Sequence, residues 1–159
     1  MPATSTRTQA NIEQIWMQEW PTALAAWSRF VKLSPPRFLW TPEELKREGM
    51  GGSFAAIRLY DHAIMIDVAD ARHMKLEAFG RAILAHEIGH HVYAPGDIHD
   101  NARLLARIRR GLPTQEHAAP MISNLYTDLL INNRLQRQAG LDMIGVWKHI
   151  NAQQAASTS

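Results

Sequence analysis

The sequence predicts an α+β domain, mostly helical, with a small antiparallel sheet near the middle of the chain. Two observations carry this. Apolar residues recur every three or four positions over residues 9–31 and again from about residue 75 to the end. Between these stretches lie two short runs with β-branched content, joined by a two-residue turn. A chain of 159 residues and 18.0 kDa fits that order as one domain around a single core.

Residues 1–8 and 153–159 are small and polar and read as flexible tails. Ile12, Ile15, Trp16, Ala23, Trp27 and Val31 give residues 9–31 helical spacing, with a break expected near Trp20 because Pro21 has no N–H to donate. Ser34-Pro35-Pro36 ends the segment, and Arg37-Phe38-Leu39-Trp40 reads as a short strand. Thr41 and Pro42 are the residue types of a helix cap and a first helical position. After the turn Met50-Gly51-Gly52-Ser53, residues 54–60 and 63–68 predict a hairpin over about 54–68, closed by Asp61-His62. A helix is expected over residues 75–93, its apolar side marked by Leu76, Phe79, Ile83, Leu84, Ile88 and Val92, and Ala94-Pro95-Gly96 stops it. Further helices are expected over residues 101–110, 118–139 and 142–152.

Several function classes are disfavoured by composition. Seventeen Lys and Arg against fifteen Asp and Glu leave a net charge of +2, which gives no electrostatic footprint for nucleic acid. The longest apolar runs, such as Ala63-Ile64-Met65-Ile66, fall far short of the roughly 20 residues that span a bilayer, so no membrane association is expected. Met1-Pro2-Ala3-Thr4-Ser5 lacks the basic-then-apolar pattern of a secretory signal, and a cytoplasmic protein is expected. With no cysteine, disulfides, thiolate zinc sites and cysteine nucleophiles are excluded.

Histidine is the unusual residue. There are eight, and His86, His90 and His91 lie close together in His86-Glu87-Ile88-Gly89-His90-His91, which contains an HExxH match. On a helix, residues four apart share a face, so His86 and His90 can present two imidazole nitrogens to one metal ion. Glu87 is rotated by about 100° and stands beside the ion, placed to take a proton from metal-activated water. Gly89 costs about 1 kcal/mol relative to Ala in a helix interior, which implies a close-packed neighbour. His91 points about 100° away from His90 and reads as exposed or supporting, not as a ligand.

A catalytic zinc needs a third protein ligand and keeps one position for water. Asp97, His99, Asp100, Glu116, His117 and Asp128 are the downstream candidates. Asp128 leads because Asn124, Asp128 and Asn132 form a polar stripe at spacings of four on an otherwise apolar helix, where a bare carboxylate is costly and a cation compensates it. Asn124 and Asn132 then become candidates for orienting the ligands. His99 is the main alternative. Tyr93, three residues after His90, is a candidate donor to a developing oxyanion, or else a packing aromatic.

This HExxH helix after a hairpin, followed by Asn124-x-x-x-Asp128-x-x-Ile131-Asn132, resembles the zincin superfamily of metallopeptidases. More narrowly, it is similar to metallopeptidase domains found alongside von Willebrand A and MoxR-type ATPase partners in bacteria. The resemblance covers about residues 54–135. The extended three-histidine spacing of metzincins would require histidine at position 96, where this chain has Gly96. The resemblance implies a zincin-like fold, His86, His90 and Asp128 as ligands of one Zn²⁺ per chain, Glu87 as general base, and a strand edge for an extended peptide.

The expected function is therefore hydrolysis of a peptide bond in a protein or peptide substrate. The alternative is a zincin-like metal-binding module acting as a non-catalytic binding or regulatory protein, and a partner protein or larger assembly is compatible with either. Arg103, Arg107 and Arg110 share a helix face that reads as solvated, and the five tryptophans read as core or interface anchors.

Overall fold

The structure, a computed structural model, describes residues 3–158, with side chains from residue 12 onward. It is mostly helical, with one three-stranded sheet. The chain opens with α1 (Ala3–Ala25), β1 (Arg37–Leu39) and α2 (Pro42–Arg47), followed by the hairpin strands β2 (Ala55–Arg58) and β3 (Ala63–Asp67). Helices α3 (Val68–His73), α4 (Gly80–Val92), α5 (Ile98–Gly111), α6 (Ala119–Gln138) and α7 (Met143–Thr158) complete it. Among the described residues, no helix is long and apolar enough to cross a membrane.

The predicted break in the first helix does not occur. α1 runs through Pro21 to Ala25, and residues 27–31 lie beyond it. Pro21 lies on the exposed side of α1, where water can replace the missing hydrogen bond. Burial of Ile12, Trp16, Trp20 and Ala23 on the opposite side outweighs the lost bond. Of the expected tails, residues 1, 2 and 159 lie outside the described residues; α1 begins at Ala3 and α7 ends at Thr158.

β2 and β3 form the expected antiparallel hairpin, with Ile57 opposite Ile64. The sheet is mixed, however, since β1 pairs parallel to β3, with Phe38 opposite Ile66, giving the order β1-β3-β2. The central position explains why β3 is an unbroken apolar run. Ile64 and Ile66 join the main core with α1 and α4, while Met65 packs in a second cluster with Leu39 and Met50, against which Leu45 of α2 rests. Thr41 caps α2 as expected: it accepts from the Glu44 amide, and the Glu44 carboxylate accepts from the Thr41 amide, both at 3.2 Å.

The helix expected over residues 75–93 starts later, at Gly80, and a separate helix precedes it. The Asp67 carboxylate accepts from the Asp70 amide and nucleates α3 early. Lys75 then takes a left-handed conformation, φ 55°, which ends that helix, and α4 starts only at Gly80. A Cβ on Gly80 would meet the Trp16 ring at 2.6 Å, so glycine lets α1 and α4 touch. α4 is not amphipathic, as residues 82–89 are all buried. It is the central helix, enclosed by α1, β2 and α6.

Candidate metal centre

Two glycine-dependent contacts fix α4 where its histidines become useful. A Cβ on Gly89 would meet Trp27 at 2.5 Å and Ile131 of α6 at 2.7 Å. Trp27 is itself held by its indole N–H, which donates to the Ala85 carbonyl at 2.7 Å. The close approach at Gly89 draws α6 against α4 between the two histidines in sequence. Ser123, Thr127, Ile131 and Leu135 form the buried face of α6, so the Asn124–Asp128–Asn132 stripe flanks that face.

Each histidine is oriented by a partner on its Nδ1. His86 Nδ1 donates to the Asn132 side-chain oxygen at 2.7 Å, and His90 Nδ1 donates to the Ala94 carbonyl at 3.0 Å. A carbonyl only accepts, so the Nδ1 position carries the proton and Nε2 is left with its lone pair. Both Nε2 atoms turn toward Asp128 Oδ1, at 3.3 Å from His86 and 3.2 Å from His90. The rings meet edge to face with centroids 4.9 Å apart.

Three acceptor atoms on three side chains thus converge, all within 4.8 Å of one another. Only a cation or protons relieve that arrangement. Ligand bonds of 2.0–2.2 Å in a tetrahedral site imply ligand-to-ligand edges of roughly 3.4 Å, close to the two separations from Asp128, so His86, His90 and Asp128 could hold a metal ion. The electrostatics agree with the geometry. Burial opposes a charged His86, but the Asp128 carboxylate, the Glu87 charge and Asn132 outweigh it and raise its pKa. Burial pushes Asp128 upward, yet the two imidazoles beside it, whenever they carry a proton on Nε2, outweigh burial and hold it well below the ordinary carboxylate range.

A cleft of about 470 Å³ opens onto this centre. Glu87 lines it beside His86 and His90, and is itself only 8% exposed. The opposite wall includes Ala55, Ala56 and Ile57 of β2, which is an edge strand. Trp147 of α7 also lines the cleft, its ring 5.7 Å from that of His86. Sequence reasoning gave Trp147 no role at the site, and nothing in its local sequence marks it.

The other candidates lie elsewhere. Asp97 caps α5 by accepting from the Asp100 amide at 2.9 Å, and His99 is exposed in the first turn of α5. Asp100 pairs with Arg103, and Glu116 and His117 sit in an exposed 3₁₀ turn. None joins the three-residue group. Asn124 lines the cleft without bonding either histidine. Tyr93 packs on Trp27 with the Arg134 guanidinium 4.9 Å from its ring centroid, and it does not line the cleft. His91 stacks on His62 at 3.8 Å and bonds the Gly96 carbonyl. Arg103, Arg107 and Arg110 are exposed. Trp16 and Trp20 are buried, and Trp27, Trp40 and Trp147 are half-buried against the main core.

No protein-family model, curated protein or solved structure matches the chain.

Proposed function

We propose that this chain is a zinc-dependent metallopeptidase of zincin type, with His86, His90 and Asp128 as the ligand set and Glu87 as general base. The observation that carries the reading is the convergence of His86 Nε2 and His90 Nε2 on Asp128 Oδ1 with the Glu87 carboxylate lining the same cleft. A zinc ion bound there supplies a Lewis acid and an acidified water at neutral pH.

The chain's own residues supply the rest. Asn132 and the Ala94 carbonyl fix the two imidazoles with Nε2 outward. The free edge of β2 offers backbone groups along which an extended peptide lies beside the centre. Glu87 takes a proton from the attacking water and delivers it to the leaving amine. A purely binding module has no use for a carboxylate at position 87, which is why the catalytic reading is preferred.

The test is zinc content per chain together with peptide hydrolysis. Zinc retained in wild type, Glu87→Gln and His99→Ala, lost in Asp128→Ala, with hydrolysis abolished by Glu87→Gln, is the expected result. A wild-type chain purified without chelators and free of metal overturns it.

A further inference from the structure

A second groove adjoins the metal centre. It lies between α6 and α7, encloses about 700 Å³, and shares Asp128 and Trp147 with the cleft. Its apolar lining includes Leu125, Leu129 and Ile144, which are 58%, 60% and 58% exposed. Large apolar side chains so open to water at the mouth of a site mark a surface that something covers. Arg137 and Lys148 also line the groove, and neither has an ion pair among the described residues. Asp128 is the one carboxylate in the lining, and it faces the histidines. With that carboxylate committed, the groove is apolar and its charged lining is positive, with Arg137 toward the α6–α7 loop and Lys148 next to Trp147.

Distance gives the spacing. Arg137 is nine positions beyond Asp128 on α6, about 13.5 Å along the helix. At roughly 3.3 Å per residue, an extended peptide covers that span in about four residues.

We propose that the α6–α7 groove is a specificity site for an extended peptide, taking an apolar side chain next to the cleaved bond and an Asp or Glu about four residues from it. The inference rests on the peptidase reading of the metal centre. Leu125 and Leu129 hold the apolar side chain, and Arg137, about 13.5 Å along α6 from Asp128, receives the carboxylate, with Lys148 adding positive charge along the groove.

The experiment uses zinc-loaded Glu87→Gln protein and short fluorescent peptides with both ends blocked, so that the only variable charge is a side chain. Each carries a leucine and, four residues to one or the other side, either Glu or Lys. In one of the two orders, the Glu peptide binds about tenfold tighter than its Lys counterpart, as two surface cations acting together allow. The double substitution Arg137→Glu, Lys148→Glu reverses that preference, and Leu129→Asp weakens both peptides. Equal binding of the Glu and Lys peptides, or a preference untouched by the charge reversal, overturns the groove. Selective binding without cleavage by the zinc-loaded wild type supports the groove and overturns the peptidase. Cleavage indifferent to both peptide charge and Leu129 overturns the groove and leaves the peptidase standing.

Discussion

Asn132 on α6 accepts the Nδ1 proton of His86 on α4 at 2.7 Å, and this one bond decides which nitrogen of His86 faces Asp128. Removing the acceptor frees the ring to rotate and to carry its proton on Nε2. Asn132→Ala therefore lowers zinc affinity by about 10–100-fold. Asn124→Ala, one turn from Asp128 but bonded to neither histidine, leaves affinity unchanged. Competitive zinc titration of both variants checks the contrast, and equal losses would show that the stripe acts only through its polarity.

Zinc bound at the proposed site is expected to reverse the pH dependence of stability. His86 has a folded-state pKa above the ordinary 6.5, so in metal-free protein it contributes stability that is complete below 6.5 and lost as pH rises through the raised value. Zinc requires the unprotonated ring, so its stabilisation grows over the same range. Melting temperatures between about pH 6 and 8, each measured relative to Asp128→Asn, should slope downward without zinc and upward with it. Parallel slopes would dissociate His86 from the centre.

Gly89→Ala tests the packing that holds α4 and α6 together. The added methyl has Trp27 and Ile131 within 2.7 Å, and Trp27 is tied to the Ala85 carbonyl. Overpacking costs about 1–3 kcal/mol, against a helix-propensity gain of about 1 kcal/mol. The expected net loss is about 1 kcal/mol, read as a lower denaturant midpoint, and zinc affinity falls with it because the ligands sit on both helices. A more stable Gly89→Ala protein would mean that the helices move apart freely.

Arg58 organises the hairpin turn. It binds both Asp61 oxygens, at 3.0 and 2.6 Å, and the Glu48 carboxylate at 3.0 Å, while Arg37 holds the other Glu48 oxygen. The Arg58 guanidinium depresses Asp61 from 3.8 to about 2. Its contribution is thus present above the ordinary value and lost as pH falls toward about 2. The stability margin of wild type over Arg58→Gln should be full at about pH 5 and shrink steadily in acid, as chemical denaturation across that range will show. An unchanged margin refutes the pairing.

Legibility in the sequence followed the range of the interaction. The Thr41–Glu44 cap, the hairpin closed at Asp61-His62 and the stop at Ala94-Pro95-Gly96 were readable because each is settled within a few residues. The His86–His90 pair was readable for the same reason, since helical geometry puts positions four apart on one side. Asp128 was ranked first from the cost of a carboxylate on an apolar helix, and it is the residue that meets both histidines. Tyr93 has the right helical offset from His90, yet its ring goes to Trp27 and the Arg134 guanidinium instead.

By itself, then, the sequence determined the α+β order and a helix carrying two aligned imidazoles and a carboxylate. Tertiary structure decided the rest: β1 joining β3 in parallel, Pro21 held inside α1, α4 buried on every side, and Trp147 standing beside His86. Each depends on how elements distant in the chain fill space around one another. No local spacing encodes the 2.5 Å and 2.7 Å clearances at Gly89 that bring α6 to α4 and set His86, His90 and Asp128 together.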